Sequence, residues 1–117
     1  MYDELKRLNF EDFIWVLFAT LAFLNIFGNY NSKEYIITNN EKYKYKSSKI
    51  FEFTLTITLL IYGYFFIRNY NSFINVSNNN KELYMIKLLG TSFLIAGIVC
   101  LIYFQIKQDS FLGSPAL

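Results

Sequence analysis

The chain has no histidine and one cysteine, Cys100. Without imidazole, neither a Ser-His nor a Cys-His nucleophile pair can be assembled, and helix-borne zinc motifs are excluded. A single cysteine cannot close an intrachain disulfide, and with no base beside it in the sequence it is no nucleophile. Glycine is scarce, and neither a Gly-x-Gly-x-x-Gly fingerprint nor a phosphate loop occurs. Charged residues make up 17% of the chain, below the roughly 25% of ordinary soluble domains. The carboxylates stand only near the ends of apolar runs. These absences predict a non-enzymatic chain with no metal and no cofactor. The net charge of +2 is spread over segments that flank those runs, so no groove-lining basic face forms and no nucleic-acid partner is expected.

What the sequence does contain is apolar: 54% of its residues are hydrophobic. They gather into three runs. The clearest, Leu88 to Ile106, has nineteen residues and no charge. As a helix it is about 28 Å long, close to the hydrocarbon thickness of a bilayer. A soluble domain of this size could bury one such helix but not three. The predicted fold is all-α and membrane-embedded, with three antiparallel transmembrane helices at about residues 10–27, 49–67 and 81–106 in a single domain over 1–117. The lipid bilayer is then the first partner.

The run ends carry local signals. Asn9 suits an N-cap, with Asp12 in the capping-box position, and Gly28 suits a left-handed C-cap after Phe27. Acidic residues precede the first run and no small-x-small site follows it, so the run is expected to be a retained span rather than a cleaved leader. Ser48 is a candidate cap for the second span. The alternating Phe53-Thr54-Leu55-Thr56-Ile57-Thr58 resembles a strand, but the apolar run continues to Ile67, and a lone strand cannot satisfy its backbone in lipid. As a helix, it places Thr54, Thr58 and Tyr62 on one face, able to bond back to the preceding turn or across to a neighbour. Asn79 and Glu82 have capping-box spacing for a third helix starting near Lys81. Gly113 and Pro115 argue against helix in the tail.

Residues 28–49 and 68–80 are expected to be polar loops. In the first, Lys42, Lys44, Lys46 and Lys49 alternate with tyrosines, a composition suited to the interface and to contact with anionic headgroups. Within the third span, Ser92, Ala96 and Cys100 repeat every four residues with Gly97 alongside. This small-residue pattern lets another helix approach closely, within the chain or in a homo-oligomer or larger membrane complex. Glu11, Asp12, Arg68 and Lys87 fall near one membrane face, where a pair such as Asp12–Arg68 is reasonable; Glu52 and Lys107 fall near the other. All six read as interfacial anchors. The denser lysine cluster before the second span favours that loop inside and the N-terminus outside.

The blocks Phe10-Glu11-Asp12-Phe13-Ile14-Trp15, Lys49-Ile50-Phe51-Glu52-Phe53-Thr54 and Lys87 to Gly97 resemble the small, uncharacterised membrane proteins of low-GC Gram-positive bacteria. The resemblance implies three spans in a bacterial cytoplasmic membrane and carries no active site. Three roles fit: an accessory, regulatory or interaction subunit held through the third span; a holin-like pore former; and a small oligomeric transporter using Glu52 as its coupling carboxylate.

Overall fold

The computed structural model describes residues 2–116. They form three long helices, α1 (Tyr2–Thr38), α2 (Glu41–Asn75) and α3 (Lys81–Lys107), with a 3₁₀ turn at Asn78–Asn80 and no strand among the described residues. Each helix is long and apolar enough to cross a membrane. The protein is an all-α, three-span integral membrane protein.

The three apolar runs lie inside these helices, but α1 and α2 outlast them. At 37 and 35 residues they are each more than 50 Å long by the rise of about 1.5 Å per residue, against about 30 Å of hydrocarbon. The expected loop at 28–49 is instead helical except at Asn39 and Asn40, and the expected loop at 68–80 is helical as far as Asn75. Apolarity marks where lipid lies; it does not mark where a helix stops. Asn9 and Ser48 are helix-interior residues, not caps, and Gly28 is buried in mid-helix rather than ending one. The third helix begins at Lys81 as expected, although its N-cap is Asn80, which makes no side-chain capping bond.

A two-residue turn joins α1 to α2. Asn39 is left-handed (φ 56°), and its N–H donates to the Tyr35 carbonyl at 2.7 Å, closing α1 by the single-bond αL motif. Asparagine tolerates this backbone better than most side-chain-bearing residues. Asn40 then caps α2, its Oδ1 accepting the Lys42 N–H at 3.0 Å. At the other end of α2, Lys81 Nζ donates to the carbonyls of Phe73 and Ile74 at 3.1 and 3.4 Å, satisfying acceptors that a helix C-terminus leaves open.

The packing is that of a protein dissolved in lipid. Buried apolar residues are few: Ile14, Leu21, Phe51, Leu55, Ile61 and Ile98. Buried polar residues are as prominent, among them Asn31, Ser32, Ser47, Thr54, Asn69, Thr91 and Gln105, while Phe23, Phe93, Leu60 and many like them are exposed. In water this distribution would be unfavourable; in lipid an outward Phe loses nothing, and polar groups are driven inward to find partners.

The chain divides into two compact units, with part of the continuous α2 in each. The first contains α1, α2 as far as Thr54, and Ser110–Pro115 of the tail; the second is essentially Leu55–Asp109. Each unit is an antiparallel helix pair. The tail after Lys107 is non-helical as far as it is described, with Gly113 at positive φ (94°) beside Asn29.

Candidate functional site

In the first unit, the covered face of α1 repeats every seven residues at Ile14, Leu21 and Gly28. That period keeps one face turned toward a partner helix. At Gly28 the approach is closest: a Cβ there would meet Phe51 Cε1 at 2.7 Å and Ile50 Cγ2 at 3.2 Å. Polar contacts flank this point on both sides. One turn outward, the Ser32 and Ser47 hydroxyls hydrogen-bond to each other. One turn inward, Thr54 Oγ1 stands 2.8 Å from Asn25 Oδ1, to which it donates, and 3.2 Å from the Phe51 carbonyl. Asn31 Nδ2 donates to its own helix, at Phe27 O (2.9 Å). Thr54 thus lies both within reach of the preceding turn and across to a neighbour, the two uses the Thr54/Thr58/Tyr62 face suggested.

In the second unit, Asn69 and Thr91 perform the same task. Asn69 Nδ2 donates to Thr91 Oγ1 at 2.6 Å, and Thr91 Oγ1 reaches the Lys87 carbonyl at 3.2 Å. Both residues are buried. Thr91 belongs to a seam on α3 that runs Tyr84, Leu88, Thr91, Ile95, Ile98, Ile102 and Gln105, all buried or half-buried. Its alternating steps of four and three average 3.5 residues, the spacing of a left-handed helix pair.

The small-residue pattern on α3 lies off that seam. Ser92 is half-covered and bonds back to the Leu88 carbonyl at 3.0 Å. Ala96, Gly97 and Cys100 are exposed, and a Cβ on Gly97 would find nothing within 4 Å. The face that could admit another helix closely is therefore turned outward, and the covered seam of the same helix is built from larger residues.

The charged residues sit near the ends of the apolar runs, within the helices. Glu11 pairs with Arg7 at 3.5 Å on α1, and Asp12 is exposed. Glu52 pairs with Lys49 at 3.3 Å. Arg68 lies over the Phe65 ring and also donates to Asn69 Oδ1 at 3.4 Å, Lys107 lies over Tyr103, and Lys87 is exposed. The four lysines of the α1–α2 region divide: Lys42, Lys46 and Lys49 are exposed, whereas Lys44 is half-buried with its ammonium over the Tyr35 ring of α1. Among the described residues no group of three or more His, Cys, Asp or Glu side chains could hold a metal ion. The packing role of Gly28, which the sequence marked only as a helix stop, and the Ser32–Ser47 and Asn69–Thr91 pairs were not anticipated from sequence. The seven-residue spacings Ile14–Leu21–Gly28 and Thr91–Ile98–Gln105 are the signal that points to Gly28 and Thr91.

No protein-family model, no characterised protein and no solved structure matches the chain. Its chemistry is read from its own residues.

Proposed function

We propose that this chain is a non-enzymatic accessory or interaction subunit of a bacterial cytoplasmic membrane, associating with a second copy or a larger membrane assembly through α3. One observation carries this reading: Ala96, Gly97 and Cys100 form an exposed small-residue face in the middle of a span. In lipid, helices associate by close packing rather than by hydrophobic exclusion, and small side chains are what permit it. The orientation we favour puts the α1–α2 turn and its lysines on the cytoplasmic side and the N-terminus outside. Glu52, the carboxylate an ion-coupled transporter would need, is tied to Lys49 near the end of the apolar run, which supports an anchoring role.

The test uses Cys100 as its reporter. Mild oxidation of native membranes should give a disulfide-linked dimer if two α3 faces meet, and blue native electrophoresis should show a species larger than the monomer. Ala96→Leu should abolish both while leaving helicity unchanged. A wild-type chain that is only ever monomeric and co-purifies with no partner would rule the reading out.

A further inference from the structure

Because the α1–α2 region is helical rather than a loop, its lysines have fixed places. At about 100° per residue, Lys42, Lys46 and Lys49 (i, i+4, i+7) fall within about 60° of arc on α2. All three are exposed. Ser47 and Phe51, which face α1, lie well over 90° around the helix by the same rule of about 100° per residue. Lys44 is on the other side, over Tyr35. The patch is therefore three lysines, not four.

Its height is also fixed. Apart from Glu52, which pairs with Lys49, α2 carries no charge from Ile50 to Ile67; counted from Ile50, Lys49, Lys46 and Lys42 stand about 1.5, 6 and 12 Å outside that stretch. The headgroup layer is about 5–7 Å deep on each side. Lys49 and Lys46 fall inside that layer, and the flexible stem of Lys42 can lean back into it. Tyr45, exposed and with the Lys49 ammonium 5.4 Å from its ring centroid, adds an aromatic ring suited to the same depth. Local carboxylates leave the region with an excess of positive charge: Glu52 takes Lys49, Glu41 receives the Tyr35 hydroxyl at 3.4 Å, and residues 28–52 carry five lysines against three glutamates. A second copy of this positive stub would be repelled, so the patch is not a self-association surface.

We infer that the Lys42/Lys46/Lys49 face of α2 is a binding surface for anionic phospholipid headgroups, and that Lys44 takes no part in it. The decisive experiment is native mass spectrometry of the full-length chain in neutral detergent, with phosphatidylglycerol and phosphatidylcholine of identical acyl chains added in competition. Phosphatidylglycerol should be retained over phosphatidylcholine. The preference should fall by about fivefold per lysine in Lys42→Gln and Lys46→Gln, and further in the double variant. It should fade as salt is raised, and Lys44→Gln should leave it unchanged. Circular dichroism checks that each variant is folded; all three substitutions are compatible with the helix. Equal retention of the two lipids, a double variant that behaves as wild type, or a Lys44→Gln effect as large as the others would each overturn the inference. Preferential binding of an acidic protein with no lipid preference would do so as well.

Discussion

The backbone of Gly28 lies against the ring of Phe51, so close that a methyl group on Gly28 would stand 2.7 Å from Cε1 and 2.8 Å from Cζ. Phe51 is 1% exposed, which leaves its ring little room to yield. Gly28→Ala should therefore force the helices apart and destabilise the α1–α2 pair by about 1–3 kcal/mol, the usual effect of overpacking. Thermal unfolding in detergent measures this. In a Gly28→Ala/Phe51→Leu double variant, part of the loss should be recovered, because the methyl then occupies space the ring has left.

Asn69 and Thr91 offer a second measurable contact. Asn69→Ala removes the 2.6 Å bond across the second helix pair but leaves Thr91 able to reach the Lys87 carbonyl. A double-mutant cycle with Thr91→Ala should give a coupling of about 0.6 kcal/mol and at most about 1.7, the range for hydrogen bonds between membrane helices. A coupling of zero would show that the two side chains do not meet in lipid.

Asn39 holds the turn. At φ 56° a β-branched residue is strained, whereas glycine is at ease. Asn39→Val should destabilise the hairpin by about 1–3 kcal/mol, and Asn39→Gly should be near neutral, as read from guanidinium or SDS titrations monitored by circular dichroism.

Much of this architecture was legible in the sequence, and the parts that were not share a cause. The third helix, expected to begin near Lys81 and to end near Ile106, runs Lys81–Lys107, because there polarity and helix end coincide. In α1 and α2 they do not coincide. The polar Asn, Lys and Tyr of residues 28–49 read as a solvated loop, yet they continue two helices whose closure depends on Ser32 meeting Ser47 and on the Asn39–Asn40 turn. Gly28 carried the right identity for a helix stop; its actual role, admitting Phe51, requires knowing what lies across the helix pair. Likewise the four-residue repeat of Ser92, Ala96 and Cys100 was conspicuous, while the seven-residue repeat that marks the covered seam of α3 was hidden among larger residues.

Accessibility of single cysteines should map how far the helices rise. In a Cys100→Ala background, cysteines at Lys33 or Lys42 should react with a membrane-impermeant maleimide from one side of the membrane, and cysteines at Phe23 or Leu60 should not, although all four positions are exposed on the protein itself. Labelling at Phe23 or Leu60 in intact membranes would contradict a lipid environment for those stretches.

The central claim, that lipid is the solvent for all three apolar helices, is tested most directly by alkaline carbonate extraction. Membranes from expressing cells are washed at high pH and centrifuged, and the chain is followed in pellet and supernatant with and without detergent. The account predicts that it stays wholly with the membrane pellet and is released only by detergent, still helical. Recovery as a folded, monodisperse protein in the detergent-free supernatant would contradict it.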